Sequence, residues 1–180
     1  MKQVDIPNYL REYAADIAQR RVVANRERYK GTHRQRTGIK RSLLLGEVTR
    51  EYYTEFVGVL GELLVRYYYE ITPEYSRYAV STLLKNKKDI KHDDDMKVMK
   101  DGKVKKVSIK TSEGSFKANE AAMKKEDCDE MIFIMFTSSS QYLVGHYTPE
   151  EVREWPVVFG GYSKFHELFP EQPVSEQEQE

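Results

Sequence analysis

Three consecutive aspartates, Asp93, Asp94 and Asp95, stand directly before the alternating segment Met96-Lys97-Val98, and Ser108-Ile109-Lys110 follows a short distance on. Strand side chains alternate between faces, so Ser108 and Lys110 share one. Antiparallel pairing around the turn dipeptide Asp101-Gly102 returns the outer end of that second strand to the aspartates. A carboxylate and a lysine at one sheet edge can hold a divalent cation and orient a water near a phosphate, the oxygen-rich chemistry that magnesium prefers. The plainer reading of the same residues is a solvated turn and a surface lysine, because charge runs are usually solvated faces. A further acid, Glu62, lies in Gly58-Val59-Leu60-Gly61-Glu62-Leu63-Leu64, otherwise apolar there; an acid on or next to a buried face needs a partner or a metal.

Other chemistries are excluded by what the chain lacks. It has no glycine-rich phosphate or dinucleotide loop, no His-Glu-x-x-His and no Gly-x-Ser-x-Gly. Its four histidines lie far apart, and Cys128 sits among Asp127, Asp129 and Glu130, which disfavour a thiolate. One cysteine allows neither an internal disulfide nor a thiolate zinc site.

The elements that must position these residues follow from apolar spacing. Ile6, Tyr9, Leu10, Tyr13, Ile17 and Val22 predict a helix from Ile6 to about Tyr29, and the polar stretch Thr32 to Lys40 a loop. A second helix is expected from about Thr49 to Tyr69, ended by Thr72-Pro73. The period then changes to a hairpin from about Asp94 to Thr111. Residues Lys117 to about Glu126 are helix-permissive, Met131 to Phe136 read as a strand buried on both faces, and Tyr142 to Tyr147 as a further strand. Thr148-Pro149-Glu150-Glu151 carries a capping box and opens a short helix. The expected class is α/β (α+β), a mixed sheet flanked by helices, divided into an N-terminal helix and basic loop (1–48), a core (49–169) and an acidic, disordered tail (170–180).

The order helix glutamate, strand aspartate, x-Ile-Lys on the next strand and Thr111-Ser112 resembles the PD-(D/E)XK nuclease superfamily, and Asp129 to Val152 looks like the strand, strand, helix half of that core. The resemblance covers about residues 50 to 155. It implies a restriction-endonuclease-like sheet and Mg²⁺- or Mn²⁺-dependent hydrolysis of phosphodiesters, most readily in DNA, of phage or defence type. Asp95 would bridge the metal, Glu62 contribute a ligand directly or through water, and Lys110 position or activate the attacking water. The chain departs from the family at the second acid, two residues before the lysine, where it has Ser108. Some restriction enzymes of the superfamily take that acid from the following helix, which makes Glu120 the candidate metal ligand here, with Glu113 and Glu126 as alternatives. Ser112, Lys117 and Asn119 are candidates for phosphate or base contact. The alternative reading is a protein on the same fold that binds nucleic acid without cutting it; a third is an unrelated α+β scaffold whose arm binds RNA or a protein.

Net charge is zero, but Arg20 to Arg41 holds nine Lys or Arg against one acid, Glu27, and Glu171 to Glu180 holds four Glu and no base. That asymmetry marks a polyanion-facing arm, with Arg34, Arg36, Lys40 and Arg41 expected on DNA phosphates. Of the thirteen tyrosines, Tyr52, Tyr53, Tyr67, Tyr68 and Tyr69 cluster on the second helix, where core packing and a homodimer interface are the expected roles. No apolar run is long enough to span a bilayer, and the first residues lack the pattern of a secretory signal, so a cytoplasmic setting is expected.

Overall fold

The computed structural model describes residues 2–32, 36–71, 79–82, 96–100, 102–113 and 127–154. In chain order they form β1 (Lys2–Asp5), α1 (Asn8–Tyr29), β2 (Ile39–Ser42), β3 (Gly46–Thr49), α2 (Arg50–Ile71), β4 (Ala79–Thr82), β5 (Met96–Lys100), β6 (Lys103–Glu113), β7 (Glu130–Phe136), β8 (Gln141–Tyr147) and α3 (Pro149–Arg153). Six strands make a mixed sheet in the order β1-β8-β7-β6-β5-β4, in which β6 and β7 are parallel and the other neighbours antiparallel; β2 and β3 pair apart from it. The expected α+β class is the one found. The helix expected over Lys117 to Glu126 lies outside the described residues. No described helix is long and apolar enough to cross a membrane.

The run Met131 to Phe136 fills β7 with six buried side chains, as a strand covered on both faces requires. Ile132, Ile134 and Phe136 join Met96, Val98, Val107 and Ile109 in the main core under α1 and α2. Met131, Phe133 and Met135 face the other way and pack with Val152 of α3. That helix starts on the expected capping box: Thr148 Oγ1 accepts from Glu151 N while the Glu151 carboxylate accepts from Thr148 N. The hairpin between β5 and β6 turns at Gly102, whose φ of 73° suits a residue without Cβ, and Lys100 pairs with Lys103.

Two expectations change. The buried stripe of α1 is Leu10, Ala14, Ala18 and Val22, while Tyr9 and Tyr13 are exposed. The reason is size, since alanines let two helix backbones approach where tyrosines would hold them apart. The contacts Arg26 with Glu51 and Asn25 with Glu55 run α1 antiparallel to α2. The loop read to Lys40 ends at Ile39, where the β2–β3 hairpin begins; four-residue polar strands carry no usable alternation. On α2, Tyr69 is buried and Tyr52, Tyr53, Tyr67 and Tyr68 pack half-buried against the core.

Helix α2 meets the sheet at Gly61. A Cβ there would stand 2.5 Å from Thr111 Cγ2 and 2.6 Å from Thr111 Oγ1, so only glycine permits this approach. Gly61→Ala should therefore destabilise the fold, overpacking of about 1–3 kcal/mol outweighing the gain in helix propensity. Gly58→Ala, whose Cβ would meet nothing within 4 Å, should instead stabilise by about 0.5–1 kcal/mol. Urea unfolding reads both, and Thr111→Ala in the Gly61→Ala background should restore most of the loss.

Candidate functional site

Among the described residues, β6 is paired further along its β7 side than along its β5 side. The β5–β6 pairing begins with Met96 opposite Val107, whereas β7 stays alongside β6 to Glu113 opposite Phe136. Along Ser108 to Glu113, therefore, β6 has a strand partner on its β7 side and no described one on its β5 side. Lys110 lies in this stretch, half-buried on an interior strand rather than on the surface. Asp93, Asp94 and Asp95 lie outside the described residues; Asp95 is bonded to Met96, which fixes their Cα atoms about 3.8 Å apart.

Face assignments follow from the core. Val107 and Ile109 point toward α2, and Thr111 meets Gly61, so Ser108, Lys110 and Ser112 belong to the opposite face, beside Met131, Phe133 and Met135. Ser108 is 1% exposed and is the buried polar side chain among the described residues. Ser112 is half-buried. The same face carries Lys97 and Lys106, both exposed and directly opposite one another. Like charges in that register repel, and the carboxylate nearest Lys106 Nζ, that of Asp127, is 3.7 Å away and itself exposed. Lys106 and Lys110 thus flank the buried Ser108 along this face of β6.

Glu62 is half-buried on α2, one residue from Gly61, as Lys110 is one residue from Thr111. The helix–strand crossing brings the two backbones together, and strand alternation sends the Lys110 side chain to the far face. Glu62 lies on the same helical face as Glu55 and Glu51, about two and three turns before it, which bind Asn25 and Arg26 of α1.

Glu113 has another task. Its carboxylate accepts from Ser42 Oγ, from Leu43 N at 3.2 Å and from Leu44 N at 3.2 Å, holding the turn between β2 and β3 at the carboxyl end of β6. Arg11 completes the clamp, donating to Leu44 O at 2.8 Å and to Ser139 O in the β7–β8 turn. Of the expected phosphate-binding cations, Arg36 is exposed and donates to Thr54 Oγ1 at 2.7 Å. Lys40 turns inward, its Nζ 5.2 Å from the Tyr53 ring centroid. Arg41 points outward, 3.8 Å from Glu47. Arg34, Lys117, Asn119, Glu120 and Glu126 lie outside the described residues.

Among the described residues no three His, Cys, Asp or Glu side chains come together as a metal site. Glu62 and the Ser108 hydroxyl do not by themselves fit a divalent cation, which takes several oxygen ligands. The carboxylates that would complete a set, Asp95 and Glu120, are outside the described residues.

One polar cluster escaped the sequence reading. Glu130 Oε2 accepts from Tyr69 OH at 3.0 Å and lies 2.9 Å from His146 Nε2, on the α2 face of the sheet. It ties the C-terminal part of α2 to β7 and β8. The signal was a polar residue near one end of each of two apolar strands, which periodicity treats as a boundary.

No protein-family model, curated protein or solved structure matches this chain.

Removing the Glu113 anchor should free the β2–β3 turn. Glu113→Ala is expected to accelerate amide hydrogen exchange at Leu43 and Leu44 and to cost about 1–3 kcal/mol of stability. Unchanged exchange at those two amides would show that the carboxylate does not hold the turn.

Proposed function

We propose that the chain is a divalent-metal-dependent nuclease acting on DNA. The observation that carries this reading is Lys110, half-buried on the interior strand β6, which pairs with the strand that Asp95 precedes. The order that the resemblance requires, helix glutamate, aspartate before a strand, lysine on the next strand, then two strands and a helix, is kept along the chain, where α2 precedes β5, β6, β7, β8 and α3. The cations Lys97 and Lys106 on the Lys110 face add the field that a phosphate backbone would seek.

In this reading the Lys110 ammonium positions the attacking water and offsets the charge that develops on the phosphoryl oxygens, and its half-buried setting strengthens that effect. Asp95 and Glu120 are the proposed metal ligands; Glu62, on the α2 side of the sheet, lies across it from the Lys110 side chain. A bound Mg²⁺ or Mn²⁺ would supply Lewis acidity and lower the pKa of its water. Arg36 and Lys106 are placed to neutralise phosphates, which sets register without reading sequence.

A second reading, a protein on the same fold that binds DNA without cutting it, is favoured by one observation. The position of the family's second acid is a serine only 1% exposed. Supercoiled plasmid, linear duplex and single strands incubated with and without Mn²⁺ separate the two. The nuclease reading expects cleavage only with the metal. Lys110→Ala should lower the cleavage rate by about 10²–10⁴-fold, the usual range for a group acting in proton transfer, with little change in DNA affinity. Glu120→Ala should be severe and Ser108→Ala mild. DNA binding without cleavage under all conditions would leave the second reading standing.

A further inference from the structure

The β2–β3 pair is a two-stranded ribbon standing apart from the main sheet, and its outward face is chemically mixed. In the register Ile39 opposite Thr49 and Arg41 opposite Glu47, the residues turned to solvent are an aliphatic chain, a hydroxyl, a guanidinium and a carboxylate, followed by Leu43 in the turn. Ile39 and Leu43 are 56% and 54% exposed, and the Arg41 side chain 91%. Phosphates ask for cations alone. Base edges ask for donors, acceptors and apolar contacts together.

The ribbon is also stiff. Glu113 and Arg11 hold its turn, Leu44 is buried in the core, and Arg50 N donates to Gly38 O at 2.9 Å at the open end. Strands lie about 4.8 Å apart, so with its side chains a two-stranded ribbon fits a major groove about 12 Å wide. Arg36, exposed beside the open end, is placed for a flanking phosphate.

We infer that the β2–β3 ribbon enters the major groove of duplex DNA and that Arg41 reads a guanine edge there, Ile39 and Leu43 meeting thymine methyl groups on either side. The inference rests on the nucleic-acid reading above and adds its substrate class, duplex DNA of preferred sequence. Arg41 then leaves the group of phosphate contacts expected from charge alone. Ile39 and Arg41 are two residues apart, about 6.8 Å, which matches two base-pair steps and sets the spacing of the preferred bases.

The test uses the full chain without divalent metal, so that bound DNA stays intact. A randomised duplex library is put through rounds of binding and the retained sequences are read for wild type, Arg41→Ala and Arg41→Lys. The inference expects wild type to enrich a short motif containing guanine. Arg41→Ala and Arg41→Lys should both lose about 10- to 100-fold on that motif, since neither offers the two-pronged contact, and less than about threefold on a scrambled duplex. Equal weakening on motif and scramble, with the salt dependence shallower by about one phosphate contact, would make Arg41 a phosphate ligand and overturn the inference. Binding by wild type with no enriched motif would overturn it too. In both of those results the nucleic-acid reading survives; failure of wild type to bind duplex at low salt would overturn the inference alone, and failure to bind single strands as well would end the nucleic-acid reading too.

Discussion

Helix α2 can lie on β6 because Gly61 has no side chain. The residue facing it is Thr111, whose methyl and hydroxyl fill the space a Cβ would need. Everything proposed for this chain is measured from that crossing. It fixes which β6 residues look toward the main core, and by alternation it turns Ser108, Lys110 and Ser112 to the other face. A larger residue at position 61 would lift the helix and uncover Val107 and Ile109.

A second constraint links the basic N-terminal part of the chain to the same strand. Glu113, three residues beyond Lys110, spends its carboxylate on the β2–β3 turn, and Arg11 ties that turn to the one between β7 and β8. These are hydrogen bonds to charged groups, stronger than neutral ones. They give a short hairpin, weak by itself, a fixed place at the carboxyl ends of β6 and β7. In sheets with parallel strands that end is where ligands gather.

Much of this was legible in the sequence where local chemistry decides structure. The capping box at Thr148, the Asp101-Gly102 turn and the unbroken apolar run of β7 each specify an element with neighbours only a few residues away. What could not be read depends on partners far along the chain. Nothing near Ala14 and Ala18 marks them as the α1 seam; α2 does. Nothing around Glu113 shows a turn 70 residues earlier, and Glu130 finds His146 and Tyr69 only after three elements assemble. Lys110 was read correctly as a strand residue beside a serine, while its half-buried state follows from β6 being interior.

The central claim is that the chain uses a divalent cation beside Lys110 of β6, with Asp95 among its ligands. Electron paramagnetic resonance of Mn²⁺ titrated into the full chain tests it without relying on turnover, because the sharp signal of free Mn²⁺ is lost on binding. The account predicts saturable uptake by the wild-type chain, abolished in Asp95→Asn and kept in Lys110→Ala. A wild-type chain that leaves all the Mn²⁺ free, or an Asp95→Asn chain that takes it up unchanged, would contradict it.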